Sequence, residues 1–229
     1  FVQKYKAQLW EDMIKNELYK RILSSIVLIP ITLFFIIKGS YFFNFFLLIF
    51  LFAAIYEWHV LTKERFYKTT GYLFILISFY FVYLLRNDFD NKYTLFLLVL
   101  FICISTDLGG YIFGKLFKGP KLTKISPNKT YAGMIGGYFL SIISTSVYIN
   151  YHEIFIIKRA EILSFQDLIF VILISSISQF GDIIISYFKR KSKIKNTGKI
   201  IPGHGGILDR IDGMIFAFPA SYLILKVIY

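Results

Sequence analysis

The chain of 229 residues is 56% hydrophobic and 20% aromatic, and only 17% of its residues are charged. A soluble domain of this length carries more charge and fewer aromatic side chains, so the composition favours an integral membrane protein. The formal net charge of +12 does not indicate a nucleic-acid-binding protein, because no basic region has the pattern of such a module and basic residues between apolar runs are typical topology signals.

Seven apolar runs follow an N-terminal segment, residues 1–21, that is charged and amphipathic. We expect that segment to lie along the membrane surface, since the first apolar run lacks the cleavage pattern of a signal peptide. Crossing the hydrocarbon takes roughly 17–20 residues of helix, and the third and last runs are marginal by this measure. The predicted spans are 22–38, 41–61, 70–85, 93–114, 132–150, 166–187 and 212–228. The predicted fold class is therefore all-α, a polytopic integral membrane protein with about seven transmembrane helices.

Lysine and arginine mark every second connection between these spans. They are abundant in the N-terminal segment, in the loop after the second span, and in the loops 115–131 and 188–211, whereas the alternate connections are short or mixed in sign. Because basic loops favour the cytoplasm, we expect the N-terminus and both long loops on the cytoplasmic face of the cell (inner) membrane. We divide the chain into residues 1–100, with the N-terminal segment and three spans, and residues 101–229, with both long basic loops.

The second span ends in Glu57, Trp58 and His59 near the same predicted face. Trp58 is typical of an anchor at the membrane interface, and the role of Glu57 stays open. Farther along, the pairs Gly110–Gly114 and Gly133–Gly137 have the spacing of glycines that let two membrane helices pack closely.

Polar residues also surround the first long basic loop. Asp107 lies inside the fourth span, where a charge needs a functional or structural reason. Ser126, Lys129 and Thr130 precede the fifth span, and a helix N-terminus favours phosphate groups. Ser126 and Thr130 fit helix caps equally well.

The sixth span carries a polar stripe at spacings of three and four residues. Asp182 is its central member, and a carboxylate at this depth is expected to face a cavity or a partner. A buried hydrogen bond between helices is the structural alternative. The stripe comprises Ser175, Ser178, Gln179, Asp182, Ser186 and Lys189 or Arg190.

The segment "IPGHGGILDRIDGM", residues 201–214, concentrates polar chemistry just before the last apolar run. If helical, Asp209 and Asp212 share one face, and with Asp182 they would give three carboxylates, a ligand type that magnesium prefers. Glycines let backbone amides approach an anion, histidine adds a donor, and nearby cations neutralise phosphate oxygens. These residues are Gly203, His204, Gly205, Gly206, Lys189, Arg190, Lys195, Lys199 and Arg210. Phosphoryl or nucleotidyl transfer is the chemistry this set favours; a solvated basic loop with glycine turns is the simpler alternative.

The stretch "SYFKRKSKIKNTGKIIPGHGGILDRIDG", residues 186–213, resembles the signature of the phosphatidate cytidylyltransferases, also called CDP-diacylglycerol synthases. "QFGD" at 179–182, "TDLGGYIFGKLFKG" and "SPNKTYAG" resemble upstream blocks of that family, so the resemblance covers roughly 100–229. The matching signature positions are Ser186, Lys189, Arg190, Lys195, Pro202, Gly203, His204, Gly205, Gly206, Asp209, Arg210 and Asp212. Departures from the family pattern are Asn196, in place of an aspartate, and Asn128, Tyr131 and Ala132.

The resemblance implies that CTP and phosphatidic acid react at the membrane to give CDP-diacylglycerol and pyrophosphate. On this basis Asp182, Asp209 and Asp212 would hold magnesium, beside a second cation such as potassium, while Lys189, Arg190 and Arg210 stabilise the CTP phosphates. The resemblance is also compatible with a homodimer, and it involves no nucleic acid. Expected substrate-binding residues are Asp107, Ser126, Lys129, Thr130, Ser186, Lys195, Gly203, His204, Gly205 and Gly206.

Two other functions stay open at this point. A CTP-dependent lipid-alcohol kinase, acting on a polyprenol or phytol, would need a base to deprotonate a hydroxyl group. An ion-coupled membrane carrier could use Asp107 and Asp182 as ion sites, but it would not need the dense segment of lysine, glycine and aspartate.

Overall fold

The structure, a computed structural model, describes residues 19, 23–63, 66–89, 93–152, 164–201, 203 and 205–228. Every regular element in these ranges is a helix. The helices are α1, Leu23–Lys38; α2, Ser40–Thr62; α3, Lys68–Asn87; α4, Tyr93–Phe117; α5, Tyr131–His152; α6, Phe165–Lys191; α7, Leu208–Ile211; and α8, Met214–Ile228. The predicted amphipathic segment 1–21 falls almost entirely outside the described residues.

Five helices, α2 to α6, are long and apolar enough to cross a membrane, and α1 and α8 are shorter apolar helices. The predicted all-α, polytopic membrane fold is confirmed. The third predicted span, which was marginal in length, is a helix of 20 residues, because the helix extends beyond the apolar run at both ends. Large apolar side chains such as Phe52, which is 67% exposed, cover the outer surface, as expected for a protein surrounded by lipid.

Aromatic and aliphatic side chains fill two core clusters between the helices. One cluster is built around Phe43, Leu98 and Ile174, and the other, nearer the basic loops, contains Trp58 and Leu208. Trp58 is buried within the protein, so its side chain does not project outward as an interfacial anchor would: its indole packs edge-on against Phe188 with ring centroids 5.2 Å apart, and its Nε1 donates to the carbonyl of Lys68. The second cluster thereby joins α2 to the end of α6.

Glycines bring α4 and α5 into close contact, which confirms the packing role predicted from their spacing. A Cβ atom on Gly109 would lie 2.3 Å from the carbonyl oxygen of Gly136, and one on Gly133 would lie 2.7 Å from that of Gly110. A Cβ on Gly137 would lie 2.9 Å from the carbonyl oxygen of Thr106. These glycines are therefore occupied by packing within the chain, and the homodimer stays a prediction.

The ends of the helices away from the basic loops are joined by polar contacts of their own. Arg86 is buried at the end of α3, where its Nε donates to the carbonyl of Ile36 on α1 at 2.9 Å. The hydroxyl of Tyr222 on α8 donates to the Asp88 carboxylate at 2.6 Å. The opposite ends of α2, α4 and α6 meet in another polar region.

Candidate active site

The polar face of α6 points into the helix bundle, as its spacing predicts. Ser175, Ser178, Ser186 and Lys189 on this face are buried, whereas Arg190 is exposed. The hydroxyl of Thr106 on α4 donates to Ser175 at 2.8 Å. The part of the stripe around residue 175 therefore contributes to the packing of α6 against α4. The part of the stripe from residue 182 onward contacts the basic loop that follows α6 and the short helix α7.

Lys189 joins the two acids of the 201–214 segment. Its Nζ lies 3.0 Å from Oδ1 of Asp209 and 3.4 Å from Oδ2 of Asp212, and its side chain is nearly inaccessible. A buried ammonium is stable only when nearby carboxylates compensate its charge. One cation thus fixes Asp209 of α7 and Asp212, which directly follows α7, against the end of α6.

Asp182 lies beside a second lysine from the other basic loop. Oδ2 of Asp182 pairs with Nζ of Lys129 at 2.5 Å, and Oδ1 accepts a hydrogen bond from Ser186 at 3.2 Å. Lys129 also donates to the carbonyl of Gln179 at 3.3 Å. The two long basic loops, which are separate in the sequence, therefore supply the same polar region.

Asp107 on α4 completes this cluster. Its side chain is exposed, and it interacts electrostatically with Asp182, Lys129 and Arg210. Asp212 interacts in turn with Asp182 and Asp107. Burial raises the pKa of Asp212 well above its ordinary value, with Asp182 acting in the same direction and Lys189 opposing the shift.

The three predicted metal ligands do not form a single three-carboxylate group. Among the residues that the structure describes, no three or more histidine, cysteine, aspartate or glutamate side chains could hold a metal ion together. The cause is the competition of other partners: Lys189 pairs with Asp209 and Asp212, Lys129 pairs with Asp182, and Oδ2 of Asp209 accepts two backbone N–H groups. Asp182 and Asp212 stay within electrostatic range of each other. One or two carboxylates suffice for magnesium when waters and phosphates complete its coordination.

The glycine-rich loop before α7 is a closed turn. The N–H and carbonyl groups of Ile201 and Gly205 bond to each other in both directions, at 2.9 and 3.1 Å. Gly203 and Gly205 have φ angles of 75° and 90°, a conformation that glycine adopts without strain. His204 and Pro202 lie outside the described residues, so the predicted role of His204 stays a prediction.

Asp209 is hydrogen-bonded to the chain on both sides of this turn. Its Oδ2 accepts hydrogen bonds from the backbone N–H groups of Thr197, at 2.8 Å, and Gly206, at 3.0 Å. Since Thr197 and Gly206 stand on either side of the turn, this one oxygen draws both ends of the loop together. A Cβ on Gly205 would lie 2.9 Å from the same oxygen, which gives a packing reason for glycine there.

The other predicted site residues line the edges of this region. Arg190, Lys195 and Arg210 are exposed, and Nη1 of Arg190 donates to the carbonyl of Ile194 at 3.2 Å. Thr130 caps α5, where its hydroxyl accepts the N–H of Gly133 at 3.0 Å, as the capping alternative predicts. Ser126 is partly buried in the loop before α5, and its backbone N–H donates to the Thr123 hydroxyl at 3.1 Å.

Glu57 is the residue of this region that the sequence left without a role. It is buried near the end of α2, and its carboxylate accepts hydrogen bonds from the loop and from the start of α7. Its partners stand 140 to 151 residues away along the chain, and no local spacing marks such a contact.

Comparison with known proteins adds to this geometry. A sequence profile of the Cytidylyltransferase family matches residues 69–228. The chain is 37% identical over 232 residues to the phosphatidate cytidylyltransferase of Rickettsia bellii (strain RML369-C), with 97% of each chain covered. It is 36% identical over 173 residues to the protein of the same name from Staphylococcus saprophyticus, with 72% of this chain and 63% of that protein covered.

Proposed function

The chain belongs to the cytidylyltransferase family, and we propose that it transfers the cytidylyl group of CTP to phosphatidate, giving CDP-diacylglycerol and pyrophosphate. The observation that carries this function is the alignment with phosphatidate cytidylyltransferases along 97% of the chain. The polar region where α2, α4 and α6 end agrees with this chemistry, because one substrate is a lipid and the other a water-soluble polyanion.

The reaction needs positioning and charge stabilisation more than proton transfer. A phosphate oxygen of phosphatidate forms a bond to the α-phosphorus of CTP, and the bond between that phosphorus and the bridging oxygen to the β-phosphate breaks. Phosphatidate is already an anion, so no strong general base is required. Electrostatic stabilisation by fixed charges is then the main contribution expected from the protein.

The cationic side chains of the site differ in how deeply they are buried. Lys189 is buried between two acids, and we assign it the task of holding Asp209 and Asp212 in place. Arg210 and Lys195 are exposed. Their side chains are therefore accessible to the phosphate oxygens of CTP as it approaches from solution. Lys129 stands between these cases, because it pairs with Asp182 and remains partly accessible.

The charge balance of the region supports a divalent cation. When all four are ionised, Asp107, Asp182, Asp209 and Asp212 carry four negative charges, against the three positive charges of the cations that interact with them, Lys129, Lys189 and Arg210. This group thus has no surplus positive charge to offset a triphosphate. We assign magnesium to Asp182 and Asp212, since their side chains, 26% and 12% exposed, are more accessible than that of Asp209, which is 7% exposed. When bound, the metal would neutralise charge on the CTP phosphates.

The location of the site follows from the same basic loops. We place it at the cytoplasmic boundary of the cell (inner) membrane, because the lysine-rich loops 115–131 and 188–211 both supply residues to it and such loops favour the cytoplasm. CTP would reach the site from the cytoplasm, and phosphatidate from within the bilayer.

The test is a radiolabel assay with the purified protein in detergent, magnesium, phosphatidate and CTP labelled at either the α- or the γ-phosphate. Label from the α-phosphate in a lipid product, and none from the γ-phosphate, is the expected result. Label from the γ-phosphate in lipid would indicate a kinase, and no labelled lipid would favour the carrier. Diacylglycerol, which lacks the attacking phosphate, serves as the matched control and should give no product; omission of magnesium should also abolish the reaction.

A further inference from the structure

The side chain of Glu57 receives three hydrogen bonds from a part of the chain far away in sequence. Oε2 accepts the hydroxyl of Thr197 at 2.7 Å and the backbone N–H of Leu208 at 2.8 Å. Oε1 accepts the backbone N–H of Ile207 at 2.8 Å. Three donors therefore converge on one carboxylate.

The surroundings of Glu57 are built closely around this carboxylate. The residue is only 1% exposed. A Cβ on Gly206 would lie 2.3 Å from Oε2, and a Cβ on Gly198 would lie 2.7 Å from Oε1. Two glycines of the loop thus leave the space that the carboxylate occupies, so the contact is a shaped one rather than an incidental surface pair.

Glu57 and Asp209 hold the same loop by complementary contacts. Asp209 accepts the backbone N–H groups of Thr197 and Gly206, and Glu57 accepts the hydroxyl of Thr197 and the next two N–H groups, of Ile207 and Leu208. The chain on both sides of the turn between Ile201 and Gly205 is consequently hydrogen-bonded to two carboxylates. One of these, Asp209, also pairs with Lys189, which connects the loop to the charged cluster.

We propose that Glu57 is a positioning residue for cytidylyl transfer: it fixes Thr197, Ile207 and Leu208 and, through Asp209 and Lys189, the charged groups that face the substrates. The inference rests on the proposed function. It extends the site to α2, which lies outside the segment 69–228 matched by the family profile. Glu57 itself is buried, and we assign it no contact with the substrates.

The role requires a carboxylate rather than any polar side chain. A glutamine has one acceptor oxygen and an amide group that donates, so in Glu57→Gln the amide N–H groups would face at least one of the three donors. The mismatch loosens the loop instead of breaking the helix, because α2 keeps its apolar contacts. A loosened loop misplaces charged groups, and a misplacement of about 1 Å costs on the order of 100-fold in rate.

The experiment compares purified wild type with Glu57→Gln, Thr197→Val and Thr197→Ser in detergent, by steady-state kinetics and by hydrogen exchange of backbone amides. We expect Glu57→Gln to lower kcat by about 10- to 100-fold with little change in the KM for phosphatidate. Exchange should become faster at Ile207 and Leu208 and stay unchanged in α4 and α5. Thr197→Val, which removes one hydroxyl, should lower kcat less, and Thr197→Ser, which keeps it, should behave like wild type.

A control variant and the possible outcomes separate this inference from the function on which it rests. Asp88→Asn changes a carboxylate at the other end of the bundle that accepts a bond from Tyr222, and it should keep wild-type kcat. An active wild type with unchanged kcat or unchanged exchange in Glu57→Gln would overturn the positioning role. Equal loss of activity in Thr197→Ser and Thr197→Val would do the same. An inactive wild type would overturn the proposed function and the catalytic part of the inference with it.

Discussion

Lys189 is the residue on which the arrangement of two acids depends. Its ammonium group lies between Asp209 and Asp212 and is only 7% exposed as a residue. In a site with little access to water, two carboxylates next to each other repel strongly unless a cation separates them. The position of Lys189 is thus a condition for bringing Asp209 and Asp212 next to α6.

We predict that Lys189→Met inactivates the enzyme and destabilises it. Methionine keeps much of the apolar stem but leaves two buried carboxylates without their cation, and removal of one partner from a buried ion pair costs about 3–5 kcal/mol. CTP-dependent turnover and the thermal midpoint in detergent measure the two effects. Lys124→Met, at an exposed loop position, is the matched control and should change neither. A stable, active Lys189→Met protein would contradict the assignment.

We predict that Asp209→Asn abolishes most turnover while the protein still inserts and folds. Oδ1 of Asp209 faces Lys189 and Oδ2 faces two backbone N–H groups, so an asparagine must present its own N–H groups to one set of donors. Removal of one positioned hydrogen-bonding group from an active site costs about 100- to 1000-fold in rate, and we expect a loss of this order. Turnover per folded protein, with size-exclusion chromatography as the folding check, gives the answer. Near-normal turnover would remove Asp209 from the site.

Local spacing predicts those site residues whose partners lie on the same helix or in the same segment. The separation between Asp182, Ser186 and Lys189 places them on one face of α6, and the structure agrees. Glu57 could not be predicted in this way, because it binds backbone N–H groups, which every residue except proline carries, at positions 150 and 151 residues away. The division of the three acids between two lysines was also missed, since sequence does not show which cation each carboxylate selects.

At the scale of the helices, the contact between α4 and α5 depends on glycines. These positions differ in how much space the neighbouring helix leaves for a side chain. A Cβ on Gly109 would meet the backbone carbonyl oxygen of Gly136 at 2.3 Å, whereas a Cβ on Gly110 would come no closer than 3.7 Å to its neighbour. Adjacent positions of one helix therefore offer a paired test of the interface.

We predict that Gly109→Ala lowers the thermal midpoint and that Gly110→Ala does not. The first must push two backbones apart, and overpacking of this kind costs about 1–3 kcal/mol. The second adds a methyl group at ordinary contact distance and gains up to about 1 kcal/mol of helix propensity. The measurement is the thermal midpoint of both variants, unfolded in the same detergent. Equal midpoints for the two would show that these glycines do not set the separation of α4 and α5, contrary to our interpretation.

The helices themselves were largely predictable from hydrophobicity. Each predicted apolar run contains a helix, because burial of apolar side chains in lipid requires the backbone hydrogen bonds to be satisfied internally. The last predicted span, 212–228, was too long at its start: Asp212 and Gly213 form a turn, and α8 begins at Met214. A Cβ on Gly213 would lie 2.7 Å from the carbonyl oxygen of Ser178, a contact with α6 that the hydropathy pattern does not contain.

The whole molecule has two polar ends with different properties. One end carries the basic loops and the charged cluster, and the other carries Arg86, Asp88 and Tyr222 in local contacts. Alternation of basic loops predicted this division, since it depends only on which connections are rich in lysine and arginine. The side of the membrane that each end faces stays a prediction.

We predict opposite accessibilities for cysteines introduced at the two ends. The only cysteine of the sequence, Cys103, is buried and should not react with a maleimide. In intact cells, a membrane-impermeant maleimide should label Asn87→Cys, and it should label Lys199→Cys only after the membrane is opened; both positions are exposed. The reverse pattern would place the charged cluster outside the cytoplasm.

The bonds from Thr197, Ile207 and Leu208 to Glu57 also constrain the order of events during biosynthesis. The ribosome makes α2 long before it makes the loop, which follows at least 140 positions later. Until the sixth helix has been inserted and the loop has emerged, the newly made glutamate has none of these three partners and must stay close to water. Maturation of the charged cluster is consequently among the last steps in the assembly of this membrane protein, and truncated translation products that end before residue 208 would lack it.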